Sequence, residues 1–126
     1  MGKRLLRLYD IVVGRVDARE KALLGGNETL QIRRLGNKMD DLKAFCDFLD
    51  VVFERNNVDT VTVEIDEETN RLKFQFDCFV LIEHQDEQEL RYLFSMLDTF
   101  CITPQEDGSM KCVFEFPSVW SFSPEG

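Results

Sequence analysis

Residues 58–83 read VDTVTVEIDEETNRLKFQFDCFVLIE. Val61, Val63 and Ile65 alternate with Thr60, Thr62 and Glu64, the two-residue period of a half-buried strand. After a polar loop, Leu72, Phe74, Phe76 and Cys78 alternate with Lys73, Gln75 and Asp77. Pairing Ile65 with Leu72 also sets Val63 opposite Phe74 and Val61 opposite Phe76, so all six share one face. The loop 67–70 then closes at four residues, a common hairpin length. Asn70, near its end, can take the left-handed conformation at little cost. A slip of one residue would turn every apolar side chain to water, so the register is well specified. Beyond Asp77 the alternation stops. Phe79, Val80, Leu81 and Ile82 are consecutive and apolar, which predicts cover on both faces there and hence an additional packing layer.

On the N-terminal side, residues 38–56 predict a helix with a main apolar stripe of Leu42, Phe45, Cys46, Leu49, Val52 and Phe53. Ala44, Phe48 and Val51 form a second stripe, so the apolar arc is wider than one sheet covers. Either the N-terminal segment or another subunit must pack on it. Leu5, Tyr9, Val12 and Val16 have helical spacing, although the β-branched run Ile11-Val12-Val13 before Gly14 suits a strand equally well. The following DAREKALL is rich in helix formers and Gly25-Gly26 ends it, which favours helix. Residues 29–35 are ambiguous, with Leu30 and Ile32 alternating as in a short strand.

On the C-terminal side, Asp86 and Glu89 have capping-box spacing. Leu90, Leu93, Phe94 and Leu97 then define the buried face of a short helix. A second hairpin follows, FCITPQEDGSMKCVFEF, with Asp107-Gly108 as its turn signal. Centring the turn there sets Cys101 opposite Phe114 and Ile102 opposite Val113. Pro104 fits the end of an edge strand. The two hairpins share a pattern of apolar strand, acidic turn and Phe-x-Phe strand, consistent with an αββ duplication or with two hairpins obeying one chemistry. The expected fold is α+β: a single domain over 1–126, with a basic N-terminal segment (1–36), an αββαββ core (37–117) and a tail (118–126). Its four-stranded, mostly antiparallel sheet carries helices on one face, with a further helical segment at the N-terminus. At fold level, such a small acidic helix–sheet domain is similar to the bacterial type III secretion chaperones, with no motif that carries their function over.

With 126 residues, 44% of them hydrophobic and 11 of them Phe, the chain can bury a substantial core. Its longest clearly apolar run, 78–82, is five residues, which gives no membrane-span candidate. Asp10 interrupts the apolar part of MGKRLLRLYDIVV and no A-x-A site follows, so a cytoplasmic protein is expected. Cys46, Cys78, Cys101 and Cys112 lack C-x-x-C spacing, and three of them fall at core-facing positions, where free Cys acts as a small hydrophobe. The net charge of −9 is unevenly placed. Residues 1–44 hold ten Lys/Arg against six Asp/Glu, and residues 45–126 hold five against eighteen. That asymmetry implies internal complementarity or two separate binding surfaces.

No phosphate-binding glycine motif and no G-x-S-x-G elbow is present, and Gly25-Gly26 serves as a helix stop. His84, the single histidine, could join Glu83 and Asp86 at a metal, but no recognised ligand spacing supplies the set. A Cys78–His84 nucleophilic pair is opposed by the core-facing position of Cys78. Asp66, Glu67 and Glu68 form one acidic cluster; Glu83, Asp86, Glu87 and Glu89 form another. Turns and helix N-termini are where solvated acids ordinarily sit, so neither cluster points to acid–base catalysis. The acidic half disfavours direct nucleic-acid binding, although Lys3, Arg4, Arg7, Arg33, Arg34 and Lys38 keep it as a minority reading.

No enzyme activity, cofactor or metal is expected. The leading expectation is an acidic protein–protein interaction module, adaptor-like or chaperone-like and self-associating. Phe48, Val51, Phe79, Leu81, Trp120 and Phe122 are the candidate contact residues. The alternative is an inhibitor that imitates nucleic acid through the acidic surface named above.

Overall fold

The computed structural model describes residues 6–25, 30–58, 60–81 and 87–124. Along the chain run α1 (Leu8–Gly25), β1 (Leu30–Arg34), α2 (Gly36–Asn56), β2 (Thr62–Ile65), β3 (Leu72–Cys78), α3 (Glu87–Ser95), β4 (Thr99–Pro104), β5 (Met110–Phe116) and β6 (Trp120–Pro124). The expected α+β class is observed, with the αββαββ order running from α2 to β5. Its strands form an antiparallel sheet in the order β2-β3-β5-β4, so the second strand of each hairpin lies at the centre.

The first hairpin pairs Ile65 with Leu72 and Val63 with Phe74, as expected. Its loop is held by Asp66, whose carboxylate accepts the Glu68 and Thr69 N–H groups at 2.7 and 2.9 Å. Asn70 closes the loop in the left-handed conformation, φ 59°. The expected Val61–Phe76 pair is not formed, because β2 begins at Thr62. The chain leaves α2 through left-handed Asn57, and the Val58 N–H still bonds the Phe53 carbonyl at 2.8 Å. It therefore meets the ladder late.

The second hairpin differs from its expected register by one residue: Cys101 faces Val113 and Ile102 faces Cys112. A two-residue type I′ turn needs positive φ at both central positions. Only Gly108 has it, at 89°, and Asp107 does not. The loop instead spans 105–109. There the Asp107 carboxylate accepts from the Ser109 N–H and hydroxyl at 2.9 and 2.5 Å, and the Gln105 N–H bonds the Ser109 carbonyl at 2.9 Å. The shift turns Cys101 away from the core and Ile102 into it.

The core lies between α2 and the sheet. Phe45 is fully buried, with its ring centroid 6.1 Å from Phe74, 5.6 Å from Phe114 and 6.4 Å from Phe116. Phe53 packs edge-on against Phe76 at 4.7 Å. The wide apolar arc of α2 is flanked on both sides, with Val51 alone of its stripes left exposed. On one side α1 is a helix, as favoured, and buries Leu8, Val12 and Val16. Leu5, expected in that stripe, lies outside the described residues; Tyr9 is half-buried beneath Lys43, whose Nζ sits 5.9 Å from the ring centroid. The Asp50 carboxylate of α2 caps α1 by accepting the Leu8 N–H at 3.2 Å. On the other flank α3 brings Phe94 to 6.4 Å from Phe48.

The ambiguous 29–35 stretch is β1, and the tail is β6, paired antiparallel with it in a separate two-stranded sheet. Arg34 faces Trp120 in this ladder. Arg34 also bonds Asp17 and, at 2.7 Å, Glu20 on α1. Glu20 accepts in turn from the Trp120 indole N–H at 2.6 Å, which ties α1, β1 and β6 together.

The expectation of double cover over residues 79–82 is corrected. The strand ends at Cys78, Phe79 and Val80 are exposed, and Leu81 turns inward; Ile82 lies outside the described residues. One side chain makes this possible. Asn56, in the last turn of α2, accepts the Phe79 and Val80 N–H groups at 2.9 Å each. Its amide nitrogen donates to the Val52 and Val80 carbonyls at 2.8 and 2.7 Å. The backbone is thus satisfied without a neighbouring strand.

Candidate interaction surface

Phe79 is 60% exposed although Asn56 fixes its backbone, so the ring stands in water at a defined place. A second exposed aromatic belongs to β4. Phe100 lies on the core face of this edge strand, opposite Phe114, yet is 52% exposed. One side of its ring packs edge-on against Phe94 at 5.1 Å. Tyr92 on α3 is also exposed, with its hydroxyl donating to Asp41 at 3.2 Å. Exposed aromatics on ordered backbone are the usual raw material of protein contacts.

Of the six candidate contact residues, Phe48 and Trp120, 7% and 4% exposed, are core residues, as is Leu81. Their apolar surface is consumed internally: Phe48 packs against Phe45 and Phe94, and Trp120 belongs to the buried core cluster with its indole N–H given to Glu20. Val51, Phe79 and Phe122 are exposed, on α2, after β3 and on β6 respectively. Sequence reading passed over Phe100 because the expected register set Cys101, not Phe100, opposite Phe114; the one-residue shift at the Asp107 loop brings Phe100 to the core face at the sheet edge.

The face of the sheet turned away from α2 is polar. Across it Glu64 faces Lys73, which faces Glu115, and Asp77 faces Lys111. Carboxylates there are interrupted by lysines. Asp66, Glu67 and Glu68 sit in the β2–β3 turn, where Asp66 is held below the usual carboxylate range by the Thr69 and Glu68 N–H groups. Glu87 and Glu89 sit in the first turn of α3, with Glu87 bonded to Arg91 at 2.6 Å. Glu83, His84 and Asp86 lie outside the described residues. In the basic segment, the guanidinium of Arg34 is committed to Glu20 and Asp17.

An open cleft of about 380 Å³ lies where α2 ends, lined by Asn56, Thr62, Asp77, Cys78, Phe79 and Asp107 among others. The hydroxyl and N–H of Ser109 hold Asp107 below the usual carboxylate range. Burial pushes the Cys78 thiol up, and that of Cys112, 3.8 Å from it, up to about 12. All four cysteines are free, and Cys101 alone is exposed. Among the described residues no three His, Cys, Asp or Glu converge as a metal would require. No helix there is long and apolar enough to cross a membrane.

No family model, curated protein or solved structure matches the chain.

Proposed function

We propose that this chain is a non-enzymatic, acidic protein–protein interaction module that works by burying apolar surface against another polypeptide, adaptor-like or chaperone-like in that sense. The observation that carries the reading is the exposure of Phe79 and Phe100 on backbone the fold holds in place. Burying both rings would be favourable by about 25 cal/mol per Å² of apolar area removed from water. Four free thiols suit the reducing cytoplasm as the working compartment. The alternative, an inhibitor imitating nucleic acid, has less support, because lysines separate the carboxylates across the open sheet face.

Site-specific photo-crosslinking in the producing cell tests the reading. A photoreactive residue at position 79 or 100 of the full chain is expected to give discrete protein adducts, and one at Lys111, on the polar face, none. Absence of adducts at both aromatic positions, or equal labelling at Lys111, would contradict it.

A further inference from the structure

Residues 99–104, TFCITP, make up the edge strand β4 and contain no charged side chain in a chain of net charge −9. Natural sheets ordinarily guard an exposed edge with charge, a bulge or a covering element. The other edge, β2, is four residues long and carries Glu64. On β4, five of the six residues are exposed. Pro104 blocks its far end only, since proline has no N–H to offer.

The direction of its free backbone groups follows from the hairpin. The Gln105 N–H bonds Ser109, so odd-numbered residues of β4 turn their N–H and C=O groups toward β5. Phe100 and Ile102 turn theirs outward, as does the carbonyl of Pro104.

Building on the interaction reading above, we infer that the occupant of this edge is a second copy of the chain. The two β4 strands pair antiparallel about a two-fold axis at Cys101 and join two four-stranded sheets into one of eight. In this register Phe100 of each copy faces Ile102 of the other, and the two residues exchange both of their outward hydrogen bonds. That makes four bonds across the axis. Centring on Ile102 instead would set Phe100 against Pro104 and lose the bonds proline cannot donate. Centring on Phe100 would set Ile102 against Asp98, whose N–H is already given to the Glu115 carbonyl at 2.9 Å.

The side chains match the same register. On the core face, Phe100 meets a β-branched residue, a favourable cross-strand pair, and its uncovered half is shielded. On the other face, Thr99 meets Thr103 and Cys101 meets its own copy, small uncharged groups throughout. Two acidic chains can approach here without opposing like charges. The edge is self-complementary, as an isologous interface must be.

Cys101 would face Cys101 at a non-hydrogen-bonded position, where Cα atoms lie about 4.5 Å apart. That separation falls within the disulfide range. Mild oxidation of the full-length chain with copper–phenanthroline should therefore give a disulfide-linked dimer on a non-reducing gel, and Cys101→Ser should abolish the band. Sedimentation equilibrium over micromolar concentrations should show a dimer for the wild type and for Cys101→Ser. It should show a monomer for Cys101→Glu, which sets two carboxylates face to face on an exposed position. Circular dichroism of Cys101→Glu identical to wild type excludes misfolding, and Cys101→Lys supplies the same test with the opposite charge. A monomeric wild type, a dimer that Cys101 does not cross-link, or a dimer that survives both charged substitutions would each overturn the inference. Adducts from position 79 in an otherwise monomeric protein would leave the interaction reading standing while removing the second copy as the partner.

Discussion

Asn56 does more for this structure than its place near a helix end suggests. Its single amide group closes the C-terminal end of α2 and satisfies the N–H groups of Phe79 and Val80. Asn56→Ala should destabilise the chain by about 1–2 kcal/mol, the low end expected when partly exposed backbone groups regain water. Urea denaturation would measure the loss, and unchanged stability would refute the role. Glu20 makes a pH-dependent counterpart. Hydrogen bonding to Arg34, and then to the Trp120 indole, holds its carboxyl below the ordinary value of 4.5, against the opposing effect of burial. A depressed folded pKa means this stabilisation is fully present above about pH 4.5 and is lost as pH falls through the folded value. Glu20→Gln should therefore flatten the acid limb of the stability profile, as followed by Trp120 fluorescence. An unchanged acid limb would contradict the assignment. Neither role was legible in the sequence, because each joins residues far apart along the chain; Asn56 meets residues 79 and 80, and Glu20 meets Trp120. The left-handed turn at Asn70 was legible, since it depends only on its neighbours.

The two hairpins show what local chemistry can and cannot specify. In the first, the apolar alternation and the loop length agree, and the register between Ile65 and Leu72 follows. In the second, Asp107-Gly108 suggested a two-residue turn, and the Asp107 carboxylate chose a longer one by binding Ser109. Gly108 holds φ 89° with no heavy atom within 4 Å of an added Cβ, so the cost of a side chain there is purely conformational. Gly108→Ala should lower stability by about 1–2 kcal/mol, by thermal or urea unfolding, with the β3–β5 pairing intact. An equally stable variant would argue against the five-residue loop. The N-terminal segment carries a similar lesson. Ile11-Val12-Val13 has strand-like propensity, and packing on α2 together with the Asp50 cap makes it helical.

Taken whole, the chain closes its core with its own elements. The over-wide arc of α2 called for a further layer, and α1 with α3 supply it, so the apolar surface left for a partner is smaller and lies elsewhere than the stripes of α2 implied. Fold class and the two antiparallel hairpins were readable from periodicity; the β3–β5 pairing that joins them was not. Nor was the β1–β6 pair, because it joins segments far apart along the chain, Leu30–Arg34 with Trp120–Pro124. Among the described residues, a polar sheet face, the aromatics Phe79, Tyr92, Phe100 and Phe122 and an uncharged edge stay open to solvent. The association proposed for this molecule depends most on that edge. Residue-resolved amide hydrogen exchange, measured at low and high protein concentration, tests it most directly. The outward N–H groups of Phe100 and Ile102 should exchange freely in dilute solution and become protected as concentration rises, while the N–H of Val63, which points away from β3 on the opposite edge, should not change. Exchange at Phe100 and Ile102 that stays fast at every concentration would contradict it.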